Sequence, residues 1–380
     1  MNKSRKAIII GAGPSALVTA KGLAEKGWNV EIFEALDRVG GLCRSFEWND
    51  YVVDIGPHVF HTADKKLEKF WKQSFGDLLV EGTYWSQNIQ GENFDEIYDY
   101  PLSWESISNY PKHLKKKIIK EITELDLSVK SNAKTYREYI DSIAGTTLRK
   151  MFFEKYPEKL WGIPVSEMTA DWAPKRVNIY EKRTPFFNNQ WTAVGKNGAG
   201  ALYERIADDI VNLGGVINLN SRISNIEVKD SQIKSISSND KIIKVKKNDI
   251  VISTIPVTSL LKMIGNQSSL RFRGVIIFYI DCIKKHVLPN GISWQYYDSK
   301  DVIFTRITEP KKMGIHGPSK DKSLITIEVP YSTGDKLDIE KNQKLCQTII
   351  DQVIDIGLLN KDEINDITMV KEAFVYPVQY

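Results

Sequence analysis

The chain has 380 residues, 42% of them hydrophobic and 26% charged, with a formal net charge of +4. That length supports two or three structural units with cores of their own, and so small a charge gives no case for a nucleic-acid partner. No apolar run approaches the ~20 residues that span a bilayer, and the basic start Met1-Asn2-Lys3-Ser4-Arg5-Lys6 precedes too short an apolar stretch to read as a signal peptide. Three widely spaced cysteines, Cys43, Cys282 and Cys346, form no Cys-x-x-Cys and point to a reducing, cytoplasmic compartment.

The first element is an apolar strand, Ala7 to Ile10, which passes into the turn Gly11-Ala12-Gly13-Pro14-Ser15-Ala16 and then a helix. Val30 to Phe33 predicts the next strand, tipped by Glu34, 23 residues after Gly11. Strand, glycine turn, helix and acid-tipped strand make the first half of a dinucleotide-binding fold. Gly11 permits the tight turn, Gly13 admits a pyrophosphate close to the backbone, and Ala16 is small enough for the helix to lie against the strand. The helix start presents free N–H groups to phosphate. Glu34 accepts from a ribose diol and repels a 2′-phosphate, so FAD or NAD is expected rather than NADP. The second loop, Ala35-Leu36-Asp37-Arg38-Val39-Gly40-Gly41-Leu42-Cys43-Arg44, brings a glycine pair and two arginines to the same pyrophosphate. Gly56-Pro57-His58-Val59-Phe60-His61-Thr62 follows a short strand. Its two histidines lack further ligands at metal spacing, so no metal is expected.

From residue 99 the chain becomes aromatic- and lysine-rich, with Pro101 and Ser103 marking a helix start. Lys112 to Glu124 reads as an amphipathic helix with a solvated lysine face, a membrane surface being the alternative. Gly195 to Gly200 opens a helix to about Leu213, and Val216 to Leu219 and Asp249 to Ser253 predict strands that return to the nucleotide fold. Two alternating runs between them suggest a hairpin at Ser238-Asn239-Asp240. Gly274 to Ile283, Val302 to Thr308 and Leu324 to Val329 suggest a second sheet, and residues 339–358 a helix.

The combined pattern over residues 7–58 resembles the flavoprotein superfamily of amine oxidases, protoporphyrinogen oxidase, phytoene desaturases and UDP-galactopyranose mutase. The resemblance implies an α/β fold: a Rossmann-like FAD-binding domain of the GR2 type, a helical insertion, and a second antiparallel or mixed sheet. The expected boundaries are 1–98 with 194–265 for the FAD domain, 99–193 for the insertion and substrate lid, and 266–380 for the substrate-side sheet. It implies non-covalent FAD held by Gly11, Gly13, Pro14, Ser15, Ala16, Glu34, Ala35, Arg38, Gly40, Gly41, Leu42, Arg44, Gly56, Pro57, His58, Ile223 and Thr254.

Five segments resemble the mutase family in particular. Gly56 to Thr62 matches a segment that lies against the flavin, with His58 and His61 tuning it. Lys155-Tyr156-Pro157-Glu158-Lys159-Leu160-Trp161-Gly162 matches one that lines the sugar-nucleotide pocket with Tyr156 and Trp161; helix packing is the alternative for these aromatics. Arg176, in Lys175-Arg176, and Arg306, in Thr305-Arg306-Ile307-Thr308-Glu309, stand where that family holds the substrate diphosphate. Each alone also reads as an ordinary ion pair. Tyr376, in Tyr376-Pro377-Val378, matches a tyrosine at the phosphates. In that family a helix and a glycine-arginine strand then close over the flavin; nothing matching them follows here, so a truncated form, or a closing segment supplied otherwise, is expected. Val177 to Phe187 departs from the mutase pattern, and Gly195 to Gly200 looks more like the protoporphyrinogen oxidase branch.

Three readings follow. The first is a mutase-like flavoenzyme of polysaccharide biosynthesis that interconverts sugar ring forms on a nucleotide sugar through a reduced-flavin N5 adduct. The second is an FAD oxidoreductase of the amine oxidase or protoporphyrinogen oxidase type. The third is a non-catalytic flavin-fold protein. A nucleotide sugar is the expected partner, and a homodimer is left open.

Overall fold

The computed structural model describes residues 5–125, 132–172, 177–239 and 241–378. They form two compact units. The first is drawn from Met1–Val59, Lys69–Val80 and Val194–Leu270, the second from Phe60–Glu68, Glu81–Ala193 and Arg271–Tyr380.

The first unit is built on a four-stranded parallel sheet in the order Val216–Asn218, Asn29–Phe33, Lys6–Ile10, Ile250–Ser253. Ala7 to Ile10 are buried, as a parallel strand covered on both faces requires. The Pro14–Glu25 helix links the first two strands and buries Leu17 with Ala16, Ala20 and Ala24, whose small side chains let it lie close to its neighbours. A smaller antiparallel sheet, Ile223–Lys229, Gln232–Ser238 and Lys241–Lys244, follows. Where the sequence suggests one hairpin, the structure has a second turn at Asp230 and Ser231, both at positive φ (51° and 56°), the geometry of a tight two-residue hairpin. Without a glycine that turn leaves no sequence signal. Asp240 of the expected hairpin lies outside the described residues.

The second unit carries a seven-stranded sheet in the order Ile364–Pro377, Phe272–Cys282, Ser323–Ser332, Arg306–Thr308, Trp294–Tyr297, Ser86–Gln90, Glu96–Tyr100. Pairing is antiparallel except between Trp294–Tyr297 and Ser86–Gln90. The two faces differ, because side chains alternate along each strand. One face sets Phe278, Ile307, Ile327 and Val329 against Leu345, Ile349 and Val353 of the Asn342–Asp355 helix. The other carries Arg273, Tyr296, Arg306, Thr308, Thr326 and Glu328. Of the run Val302 to Thr308 only Arg306–Thr308 is a strand; Val302 and Phe304 fill the apolar core instead. A separate cluster around Leu102, Ile118, Tyr136 and Ile140 joins the Trp104–Ser108, Lys112–Thr123 and Tyr136–Leu148 helices. Ser103 caps the first by accepting from Ser106 N–H, and Thr135 with Glu138 forms a capping box on the third. No helix among the described residues is long and apolar enough to cross a membrane.

In the first unit the Ser45–Trp48 and Tyr51–Asp54 hairpin holds the start of the Gly200–Asn212 helix. Asp54 accepts from Ala199 N–H (2.9 Å to Oδ1) and from the Ser45 hydroxyl (2.5 Å), and Ser45 Oγ accepts from Gly200 N–H (2.8 Å). A helix start has free N–H groups and no partners of its own, so two hairpin side chains serve as its cap. Asp54→Ala should therefore lower the unfolding free energy by about 1–3 kcal/mol. Chemical denaturation checks this; a loss below about 0.5 kcal/mol would show that the cap contributes little.

Candidate functional site

In the first unit the glycine turn and the second loop meet. Gly11 has a φ of +95°, and a Cβ there would stand 2.8 Å from Thr254 Oγ1. Thr254 closes the turn from the other side, donating from N and Oγ1 to Ile10 O (2.9 and 3.1 Å). A Cβ on Gly41 would lie 3.1 Å from Gly13 Cα, so the two loops touch backbone to backbone and nothing larger fits between them. Glu34, buried at the strand end, accepts from Ala12 N–H (2.7 Å) and Leu36 N–H (2.9 Å). A carboxylate has about four lone-pair sites, so a ribose diol can still be accepted. Pro14 and exposed Ser15 open the helix, with no side-chain cap on its N–H groups. Arg44 donates to Gly41 O (2.9 Å); Arg38 donates to Ser45 O (3.0 Å) and lies bidentate on Asp37 (3.0 Å each), which already neutralises part of its charge. Ala35 and Leu42 are half-buried on the same loop. Ile223 instead packs into the core with Ile8 and Phe33. A cradle that any Cβ would fill, with an acid at the ribose position, fits an FAD pyrophosphate and ribose.

Gly56 and Pro57 lead into His58, whose Nδ1 lies 3.0 Å from Gly56 O. Burial works against the charged imidazole, but the Cys43 side chain hydrogen-bonded to it and the Asp54 carboxylate together raise its pKa. His61 belongs to the second unit. Its Nδ1 meets Gln190 Oε1 at 2.8 Å and its ring stacks on Phe187, centroids 4.3 Å apart. Phe187 and Gln190 gave no sequence signal. Among the described residues no group of three His, Cys, Asp or Glu could hold a metal ion.

The polar face of the seven-stranded sheet brings Tyr156, Trp161, Arg306 and Tyr376 together. Arg306 stands directly opposite Glu328 across two paired strands, and the guanidinium grips it at 2.6 and 2.9 Å from Nη2 and 3.1 Å from Nε. The side chains are only 23% and 7% exposed. Burial is the largest single influence and opposes the charge on Arg306, but Glu328 together with Tyr296, Tyr156 and Tyr376 drives its pKa well above the ordinary value. Tyr156 packs edge-on against Tyr296 (centroids 5.0 Å), and Trp161 against Tyr376 (5.5 Å). Burial pushes all three phenols up, against the pull of the nearby Arg306 charge, so they stay protonated donors at neutral pH. Arg176 lies outside the described residues.

Glu328 and Tyr296 are the partners that sequence reasoning missed. Their only signal was a polar residue at every second position, Thr326 and Glu328, in an otherwise apolar strand.

Lys159, on the same helix as Tyr156, donates to Ser299 O (2.8 Å) and Phe304 O. Burial brings its pKa down to about 7, with Asp298 and Asp301 opposing. A neutral amine still has two N–H groups for two carbonyls. The folded chain then binds fewer protons than the unfolded one between pH 7 and about 10, so this group adds stability as pH rises across that window and changes nothing below it. Lys159→Met should abolish that share of the rise. Urea midpoints at pH 7 and 9 check it; equal changes in both proteins would contradict it.

The family model for flavin containing amine oxidoreductase matches residues 15–272. Among curated relatives, a protein described as "Probable UDP-galactopyranose mutase" from Klebsiella pneumoniae is 25% identical over 215 residues, 54% of this chain and 53% of that one. The dTDP-fucopyranose mutase of Escherichia coli is 25% identical over 210 residues, 53% of each. The chain thus spans about half the length of these curated relatives. A crystal structure of reduced UDP-galactopyranose mutase superposes with a TM-score of 0.79 at 19% identity, over 99% of this chain and 85% of that one. A putrescine oxidase bound to putrescine gives 0.65 at 15%, over 99% and 88%. At these identities the superpositions speak for the fold. With more than half of its length matched by the family model, the chain belongs to the flavin-containing amine oxidoreductase family, whose members depend on FAD.

Proposed function

We propose that this protein is an FAD-dependent enzyme that interconverts the pyranose and furanose forms of a sugar carried on a nucleoside diphosphate. The observation that carries the reading is the Arg306–Glu328 pair set among Tyr156, Tyr296, Tyr376 and Trp161. A charged, hydroxyl-bearing, aromatic surface suits a diphosphate and a polyol. A flavin oxidase that takes hydride from a C–N or C–C bond calls for an apolar one. The mutase names of two relatives point the same way.

FAD is taken non-covalently, with its pyrophosphate at Gly11 to Ala16 and Gly40 to Arg44 and its ribose at Glu34. Bound and reduced, it supplies the nucleophile for the anomeric carbon in a rearrangement with no net redox change. His58, inclined to hold a proton, is assigned to tuning that cofactor.

The chain's own task is to hold the diphosphate while the sugar is detached and reattached. Glu328 engages Nε and Nη2 of Arg306 and fixes the plane of the guanidinium, so that its Nη1 edge is assigned to a phosphate oxygen. Tyr156 and Tyr376 donate from neutral hydroxyls, and Trp161 offers a ring face to the base or sugar. Arg176 is assigned to the same diphosphate.

Arg306→Met tests this. Loss of a charge-assisted contact should weaken UDP binding by roughly tenfold to a hundredfold, read from quenching of tryptophan fluorescence during UDP titration. Equal UDP affinity in the wild type and the variant would remove Arg306 from the diphosphate site.

A further inference from the structure

Arg273 has no part in the reaction just described, yet it is a buried cation with unusual partners. It stands on the polar face of the sheet, opposite Ser332 on one neighbouring strand and Tyr376 on the other. Its Nη1 donates to Ser332 Oγ (2.6 Å), its Nε to Leu160 O (3.1 Å) and its Nη2 to Lys159 O (3.2 Å). Two of these three acceptors are main-chain carbonyls at the end of the Lys155–Trp161 helix.

A helix leaves its last carbonyls without partners and gathers negative charge there, so a guanidinium is well placed against them. The helix stops at Gly162, in the left-handed conformation (φ +70°), whose N–H returns to Glu158 O at 2.8 Å. A Cβ at Gly162 would come within 2.8 Å of Arg273 Nη1 and 2.9 Å of Cζ. The helix end therefore lies flat on the guanidinium, and only glycine permits that approach. The seven residues of this helix follow directly on the helical segment Arg149–Glu154, which is kinked at Phe153. The helix carries Tyr156 and Trp161, which pack on Tyr296 and Tyr376.

We propose that Arg273 is a positioning residue of the nucleotide-sugar site: it clamps the C-terminal end of the Lys155–Trp161 helix to the sheet and so sets Tyr156 and Trp161 at Arg306. What the site binds rests on the function proposed above; the clamp itself rests on the hydrogen bonds of Arg273.

The test uses the full chain with Arg273→Leu, which keeps bulk and removes the donors, and Arg273→Lys, which keeps the charge. Hydrogen exchange at the amides of residues 158–163 should speed up about tenfold or more in Arg273→Leu, while the Phe272–Cys282 and Ser323–Ser332 strands keep their protection. UDP affinity should fall about tenfold in Arg273→Leu and recover in part in Arg273→Lys. Unchanged exchange overturns the clamp. Faster exchange with unchanged UDP affinity overturns the positioning role. If the wild-type chain takes no UDP, the nucleotide-sugar reading falls, and the exchange result alone decides whether Arg273 clamps the helix. Should Arg273→Leu not fold, Gly162→Ala, which pushes a methyl into the guanidinium, is read by the same two measurements.

Discussion

A guanidinium taken out of water needs a partner, and the pairing of Arg306 with Glu328 is the constraint on which the second unit turns. The two residues face each other across adjacent antiparallel strands, with Ile307 and Ile327 as the next pair on the opposite face. A slip of either strand by one residue would carry its charge into the core against the Asn342–Asp355 helix, leave the other charge unpaired and turn its own isoleucine outward. Burying an unpaired charge costs several kcal/mol, so the register is strongly specified. Once it is set, Tyr296 opposite Arg306 and the Arg273–Tyr376 pair further along fall on the same face. The site is thus a consequence of strand register, with Tyr156 and Trp161 added to Tyr296 and Tyr376 by one short helix.

The first unit obeys a steric constraint in place of an electrostatic one. Gly11, Gly13 and Gly41 bring two loops to within backbone contact, and Thr254 and Glu34 brace the turn from either side. The acid that is assigned to the ribose therefore also holds the turn in shape through Ala12 N–H, which couples the cradle's geometry to its chemistry.

What could be read from the sequence and what could not divides by range. Gly11 to Glu34 was legible because a strand, a turn and a helix are set by neighbouring residues, and the Ser103 cap for the same reason. Tyr156, Trp161, Arg306 and Tyr376 could be singled out by resemblance, and the structure brings these four together. Glu328, Tyr296 and Arg273 could not, because their roles arise from pairing between strands far apart in sequence. The turn at Asp230 and Ser231 escaped because both residues adopt positive φ without a glycine to announce it. Val302 to Phe304 reads as strand because it is apolar, but these residues fill the core without joining a neighbouring strand.

The central claim is a redox-neutral rearrangement on a nucleotide sugar. Its most direct test is to supply the purified protein with FAD and UDP-galactofuranose, with and without dithionite, and to follow the sugar product together with peroxide. The account predicts conversion to the pyranose form only when the flavin is reduced, without stoichiometric peroxide. Turnover of an amine or hydrocarbon substrate by oxidised flavin in air, with peroxide formed and no ring interconversion, would contradict it.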